Sequence, residues 1–359
     1  MSSEPVLIAD GHLDLAFNAL HLRRDLTRDA LAVRESDGPE TLRDYGTCTV
    51  TLPELRRGRV GLVLGTIMVR IDAAGSYAGS GMRVQSQCHG VARGHAAYYE
   101  ILEQTGELRI IRTASDLARH VSLWTDTADP SRLPVGVVLA MESSDPILGP
   151  EQVEYWHGLG LRCASLCHYG VGAYAHGTGT EGGLLPRARE MLRTFAEHGV
   201  MLDVTHLTDQ GLWEALELYD GPVLASHHNC RALVPGQRQL DDAMLGALIE
   251  RDGVIGTSFD LWMLDPEFVR GRQNPRRKNL EAVVDHIDHV CQLAGGSRHA
   301  AVGSDLDGGF GAEQSPAGVD TIADVAALAD RLSRRGYVQQ DVQNVLCGNW
   351  LRLLRKVLR

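Results

Sequence analysis

Eight short apolar runs, each bounded by turn residues, recur along the chain and limit its fold more than any other feature. They are VLIAD (6–10), VGLVLGTIMV (60–69), VGVVLAM (135–141), LRCASLC (161–167), VMLDVT (200–205), PVLAS (222–226), GVIGTSF (253–259) and AAVGS (300–304). Most are followed by a stretch of helical period, including RVQSQCHGVARGHAAYYEILEQ, RAREMLRTFAEHG, TDQGLWEALELY, LDDAMLGALIERDG, NLEAVVDHIDHVCQLAGG and TIADVAALADRLSRRG. Several of these end at glycine, as helices closed by a left-handed residue do. Strands apolar on both faces and alternating with helices belong to a parallel sheet. Eight such units predict an α/β fold, a (β/α)8 TIM-type barrel. The irregular stretches 20–58 and 70–84 are rich in Arg, Asp and Gly, and read as long excursions over the C-terminal mouth of a single barrel domain, residues 1–359.

The formal net charge of -11 argues against a nucleic-acid groove, which needs concentrated positive charge. The seven cysteines, an odd number scattered through a large chain, suit a reducing, cytoplasmic setting. Cys163 and Cys167 are the only close pair, and no second pair at zinc-finger spacing accompanies them. The N-terminus lacks the charged and apolar regions of a signal peptide, and no apolar segment reaches the length of a membrane span. The basic, amphipathic LRLLRKVLR is expected to be a closing helix.

Barrels of this kind carry their chemistry at the C-terminal strand ends. His12 and Asp14 follow the first run, Glu142 the third, His168 the fourth, His206 the fifth, His227 the sixth and Asp305 the eighth. His12 and Asp14 stand two apart, so they face the same way on a strand. Imidazoles, a His-x-Asp pair and a glutamate form a nitrogen and oxygen set suited to zinc or a similar divalent ion. Glu142 has two oxygens and is expected to bridge two metals, giving each ion three protein donors. A water shared by two dications becomes a hydroxide nucleophile near neutral pH.

These motifs resemble the membrane (renal) dipeptidase family of metallopeptidases, within the amidohydrolase-like barrels. DGHLDL is similar to the family's first metal motif and MESSDPI to its glutamate motif. DVTH and SHHN resemble its later histidine motifs, VGSDLDGG its catalytic-aspartate motif and GNWLRLL its C-terminal signature. The resemblance runs from about residue 6 to residue 354. It implies two zinc ions, one held by His12 and Asp14, the other by His206 and His227, with Glu142 bridging. It also implies that Asp305 shuttles the proton, that His168 steadies the oxyanion, and that Arg238 in PGQRQLDD binds the substrate's terminal carboxylate. The implied substrates are small dipeptides, often with a D-residue at the C-terminal position, and a homodimer is compatible with the family. Two departures bear on this. Ser143 stands where the family usually has glycine after the bridging glutamate, and FDLWML (259–264) leaves specificity open.

Rivals exist for several positions. His228 competes with His227 and Asp307 with Asp305, while Arg231 competes with Arg238. His168 could instead be a satisfied buried histidine. GTGTEG (177–182) matches a dinucleotide fingerprint formally, but polar HYGVGAYAH separates it from the preceding strand, so a flexible mouth loop is expected. His89, His95, His120 and His157 are read as surface residues. An amidohydrolase acting on another small amide or lactam, or a non-catalytic metal-binding barrel, are the alternatives to a dipeptidase.

Overall fold

All eight apolar runs form strands, and all eight lie in one parallel sheet. The computed structural model describes residues 7–72, 81–269 and 278–358; Val6 of the first run, residues 73–80 of the second excursion and Arg359 lie outside the described residues. The strands are β1 (Ile8–Leu13), β2 (Val60–Met68), β3 (Val135–Glu142), β4 (Leu161–Ser165), β5 (Met201–Asp203), β6 (Val223–Ala225), β7 (Val254–Thr257) and β8 (Ala300–Val302). They pair in sequence order, each with the next. Between β8 and β1 the barrel is joined by a side chain: the Asp10 carboxylate accepts the Ser304 N–H at 2.9 Å. A further short strand, Leu108–Ile110, which the sequence pattern did not suggest, pairs with the start of β3.

Side-chain alternation explains why the strands are apolar throughout. In β2, Leu62 and Leu64 face the barrel interior while Val63 and Ile67 lie under the helices; in β3, Val138 and Ala140 face in, and Val137, Leu139 and Met141 face out. Continuing the inward parity past the apolar stretch brings Glu142 to the axis. The same count brings Ser226 inward after Leu224, and Asp305 inward after Ala301. The waist is narrow. A Cβ on Gly256 or Gly303 would collide with the Ser226 carbonyl oxygen, so these glycines let that carbonyl approach.

The helices follow their sequence signals. Leu280–Ala294 starts at Asn279, whose side chain accepts the Glu281 N–H, and ends at Gly295 with φ 67°. The stretch 321–336 splits into a 3-10 segment, Ile322–Ala327, and a helix, Leu328–Arg334, because Thr321 and Asp324 close a capping box and Ile322 N–H donates to Thr49. The C-terminal helix Asn349–Val357 closes the lower end. Its Trp350, Leu353, Leu354 and Val357 pack on Leu62, Leu64, Val138, Met201 and Leu224, and Trp350 Nε1 donates to Val302 at 2.8 Å.

The first excursion contains helices Ala30–Ser36, Pro39–Tyr45 and Leu52–Arg57 and runs from the mouth to the start of β2. Two histidines depart from the surface reading. His95 and His120 are fully buried: His95 Nε2 lies 3.0 Å from His21 Nε2, and His120 Nε2 lies 2.7 Å from the Gly61 carbonyl. His95 shares a helix face with Cys88, Ala92 and Tyr99, the side that packs on the barrel. His89 and His157 are half-buried.

Candidate metal centre

The centre begins with an irregularity in β1. Asp10 pairs with Val63 and Leu13 with Gly65, so β1 has one residue more than β2 across this interval. Such a bulge re-aims the residues after it. Ala9 faces inward before it and Leu13 outward after it, leaving His12 and Asp14 directed to the axis. Asp10 stabilises the bulge by accepting the His12 N–H at 3.1 Å.

Glu142 stands at the middle of the cluster. One carboxylate oxygen lies 3.6 Å from His12 Nε2; the other lies 3.1 Å from His206 Nε2, 3.5 Å from His227 Nε2 and 3.7 Å from His168 Nε2. His12 Nε2 is also 3.8 Å from Asp14 and 3.9 Å from Asp305. Two donor triads arise, His12 with Asp14 and Glu142, and Glu142 with His206 and His227; His12, His227 and Asp305 form a third. The five side chains His12, Asp14, Glu142, His206 and His227 are 2–6% exposed, whereas Asp305 and His168 keep 13%. Asp305 and His168 are therefore the members of the cluster most open to solvent.

Burial opposes charge on His12, yet Glu142, Asp14 and Asp305 outweigh it and raise its pKa to about 10. Burial and the Glu142 charge push Asp14 up to about 6. Asp305 is held well above the usual carboxylate range by burial, reinforced by Glu142 and Asp14 against the pull of His12. Burial, with Arg238 nearby, keeps His206 and His227 neutral, and lowers His168 to about 4. Burial alone would raise Glu142, but the His168 and His12 rings hold it well below its ordinary value. Neutral His206 and His227 beside crowded carboxylates are what a dication requires, and a cation there would take the place of the proton that those carboxylates hold on His12. Among the described residues, buried His12 Nε2 has no hydrogen-bond partner although it faces the centre. The residues present thus fit a divalent metal.

Most rivals are occupied elsewhere. Asp307 accepts Thr49 and Val50 N–H groups and lies 3.5 Å from Arg24, pinning the first excursion to the mouth. Arg231 is bidentate to Asp209 at 2.7 Å, away from the centre. Arg238 is buried, donates to the His227 carbonyl at 3.0 Å and lies 3.5 Å from His206 Nε2. His228 is buried but joins none of the donor triads. Ser143 has φ 73°, the region that favours glycine, and its hydroxyl accepts the Asp145 N–H at 3.3 Å.

Several supporting groups escaped the sequence reading. Thr66 bonds Asp14, Thr178 Oγ1 lies 3.0 Å from His206 Nδ1, and Ser226 Oγ lies 2.9 Å from His227 Nδ1. Thr178 belongs to GTGTEG, which forms a hydrogen-bonded part of the centre's wall. Its backbone exchanges hydrogen bonds with His168 and Gly170 at 3.0 Å.

A parallel barrel with a buried imidazole and carboxylate cluster at its C-terminal mouth belongs to the class of metal-dependent barrel proteins. Within that class the chain belongs to the membrane dipeptidase family, Peptidase family M19, whose model matches residues 3–359. It is similar to Dipeptidase tcpJ of Claviceps purpurea, with 30% identity over 209 residues, 56% of this chain; the chain spans about half the length of that relative, 46%. Dipeptidase aclJ of Aspergillus oryzae is 28% identical over 367 residues, covering 98% of this chain and 78% of that protein. Among solved structures, the metallopeptidase dipeptidase AC superposes with a TM-score of 0.79 and 25% identity, covering 98% of this chain and 99% of that one. Among the described residues no helix is long and apolar enough to cross a membrane.

Proposed function

We propose that the protein is a zinc-dependent dipeptidase that hydrolyses the amide bond of small dipeptides. The observation that carries this reading is the convergence of His12, Asp14, Glu142, His206 and His227 from four strand ends on one buried point, with His12 Nε2 left without a hydrogen-bond partner among the described residues. His12 and Asp14 would hold one ion, His206 and His227 a second, and Glu142 both. Ions held there would polarise the scissile carbonyl and acidify a water that serves as the hydroxide nucleophile.

The chain's own groups do the rest. Asp305, whose affinity for protons is raised, takes one from the attacking water and returns it to the leaving amine. His168 is neutral and turns Nε2 to the centre, where an N–H stabilises the oxygen that gains charge. Arg238 Nη1 has no partner among the described residues and is free to grip the substrate's carboxylate, which restricts the site to short peptides. A D-residue at the C-terminal position rests on the family resemblance. Seven buried free thiols support a reducing, cytoplasmic location.

Zinc counting combined with a panel of L,L- and L,D-dipeptides tests the proposal. Two equivalents per chain and release of free amino acids are expected. A chain that takes up no zinc, or that takes up zinc but cleaves no dipeptide, refutes it.

A further inference from the structure

Each of the three candidate ligand imidazoles, His12, His206 and His227, has its Nδ1 beside a hydroxyl. Ser226 Oγ lies 3.3 Å from His12 Nδ1 and 2.9 Å from His227 Nδ1, while Thr178 Oγ1 serves His206 alone. A neutral imidazole carries one ring proton, and a ring that offers its Nε2 lone pair to a cation must keep that proton on Nδ1. His12 and His227 would then both donate to Ser226 Oγ. Two accepted bonds fill its lone pairs, so its own hydrogen needs a separate acceptor.

Thr205 Oγ1 is there, 3.3 Å away. It also accepts the Ser226 N–H at 3.0 Å, and its hydrogen goes to Asp203 Oδ1 at 2.6 Å. The reverse direction fails. If Thr205 donated to Ser226, Asp203 and Thr205 would face each other as two acceptors at 2.6 Å. The Asp203 carboxylate is itself fixed by the N–H groups of Thr205 and Ser226, both at 3.0 Å.

We infer that Asp203, Thr205 and Ser226 form a one-way hydrogen-bond chain that sets the Nδ1–H tautomer of His12 and His227 together, so that a single hydroxyl prepares a ligand for each ion position. These are positioning residues, since none belongs to the donor triads. The inference rests on the metal reading above. It makes the two positions interdependent: Ser226 can satisfy both rings only while Thr205 takes its hydrogen.

Thr205→Val removes that acceptor and turns the Ser226 hydrogen onto one ring, which then loses its Nε2 donor. Competition with a chromophoric chelator should show one of two zinc equivalents weakened by about tenfold to a hundredfold, the other unchanged, and both restored in Thr205→Ser. Long-range nitrogen-proton spectra of the zinc-loaded wild-type protein should place the ring proton on Nδ1 of both His12 and His227, a readout independent of whether the variant folds. Wild-type affinity for both equivalents in Thr205→Val overturns the chain while leaving the dipeptidase reading intact, whereas an Nε2–H signal on either ring overturns both the chain and that ring's place among the ligands. A wild-type chain that binds no zinc overturns both.

Discussion

The mouth and the floor of this barrel are made by the same eight strands under opposite rules. At the floor, Leu62, Leu64, Val138, Met201 and Leu224 meet Trp350 and Leu354 in an apolar cluster. At the mouth, three carboxylates and four imidazoles are buried within a few ångströms, and Ser143, His206 and Asp305 hold left-handed backbone with φ between 59° and 73°. Strain and polar burial of this kind persist only where the surrounding structure enforces them. The contrast teaches that stability and chemistry are divided along each strand, the first half stabilising what the second half destabilises.

If the division is real, changes at the mouth should alter rate and changes at the floor should alter stability. The largest expected effect is chelation, which should reduce dipeptide turnover to background, with added zinc restoring it; activity surviving full metal removal breaks the comparison at the mouth. Next, Asp305→Asn should keep both zinc equivalents but lower kcat by roughly a hundredfold to ten-thousandfold, measured on metal-loaded protein. At the floor, Leu354→Ala should remove about 2–5 kcal/mol of stability in denaturant titrations, while kcat per folded molecule stays near wild type. A collapse of kcat instead would mean that the two ends are one mechanical unit.

Smaller effects sharpen the picture. Arg238→Met should raise KM by about tenfold for dipeptides with a free C-terminus and leave amidated analogues unchanged. Asp252, below the floor, is held well under its ordinary 3.8 because Arg298, Lys356 and Arg352 outweigh its partial burial. A depressed carboxyl stabilises the fold above its unfolded pKa, and that contribution fades as pH falls toward the folded value. Thermal melts should therefore show Asp252→Asn slightly less stable than wild type at pH 7, with the gap narrowing below pH 3.8.

The same division governs what was legible beforehand. The eight strands could be read because a strand covered on both faces must be apolar on both, a pattern that VGLVLGTIMV displays in full. Glu142 and His227 could be singled out because each follows such a run directly, and His12 because it stands one glycine beyond its own. Ser226, Thr205 and Thr178 could not, since hydroxyls are common and their partners lie in distant segments. The bulge in β1 was hidden because it exists only relative to β2. Leu108–Ile110 is too short to register as a strand, and the inward faces of His95 and His120 depend on which side of their helices meets the barrel.

Trp350 has a consequence for the order of assembly. Its ring sits where a side chain on Gly11 would be, next to His12, yet it is synthesised more than three hundred residues later. A nascent chain that already contains every candidate ligand still lacks the plug beneath the first of them. The pocket is therefore finished only once the helix Asn349–Val357 has been made, and removal of that helix should leave the histidines present but without a base to rest on.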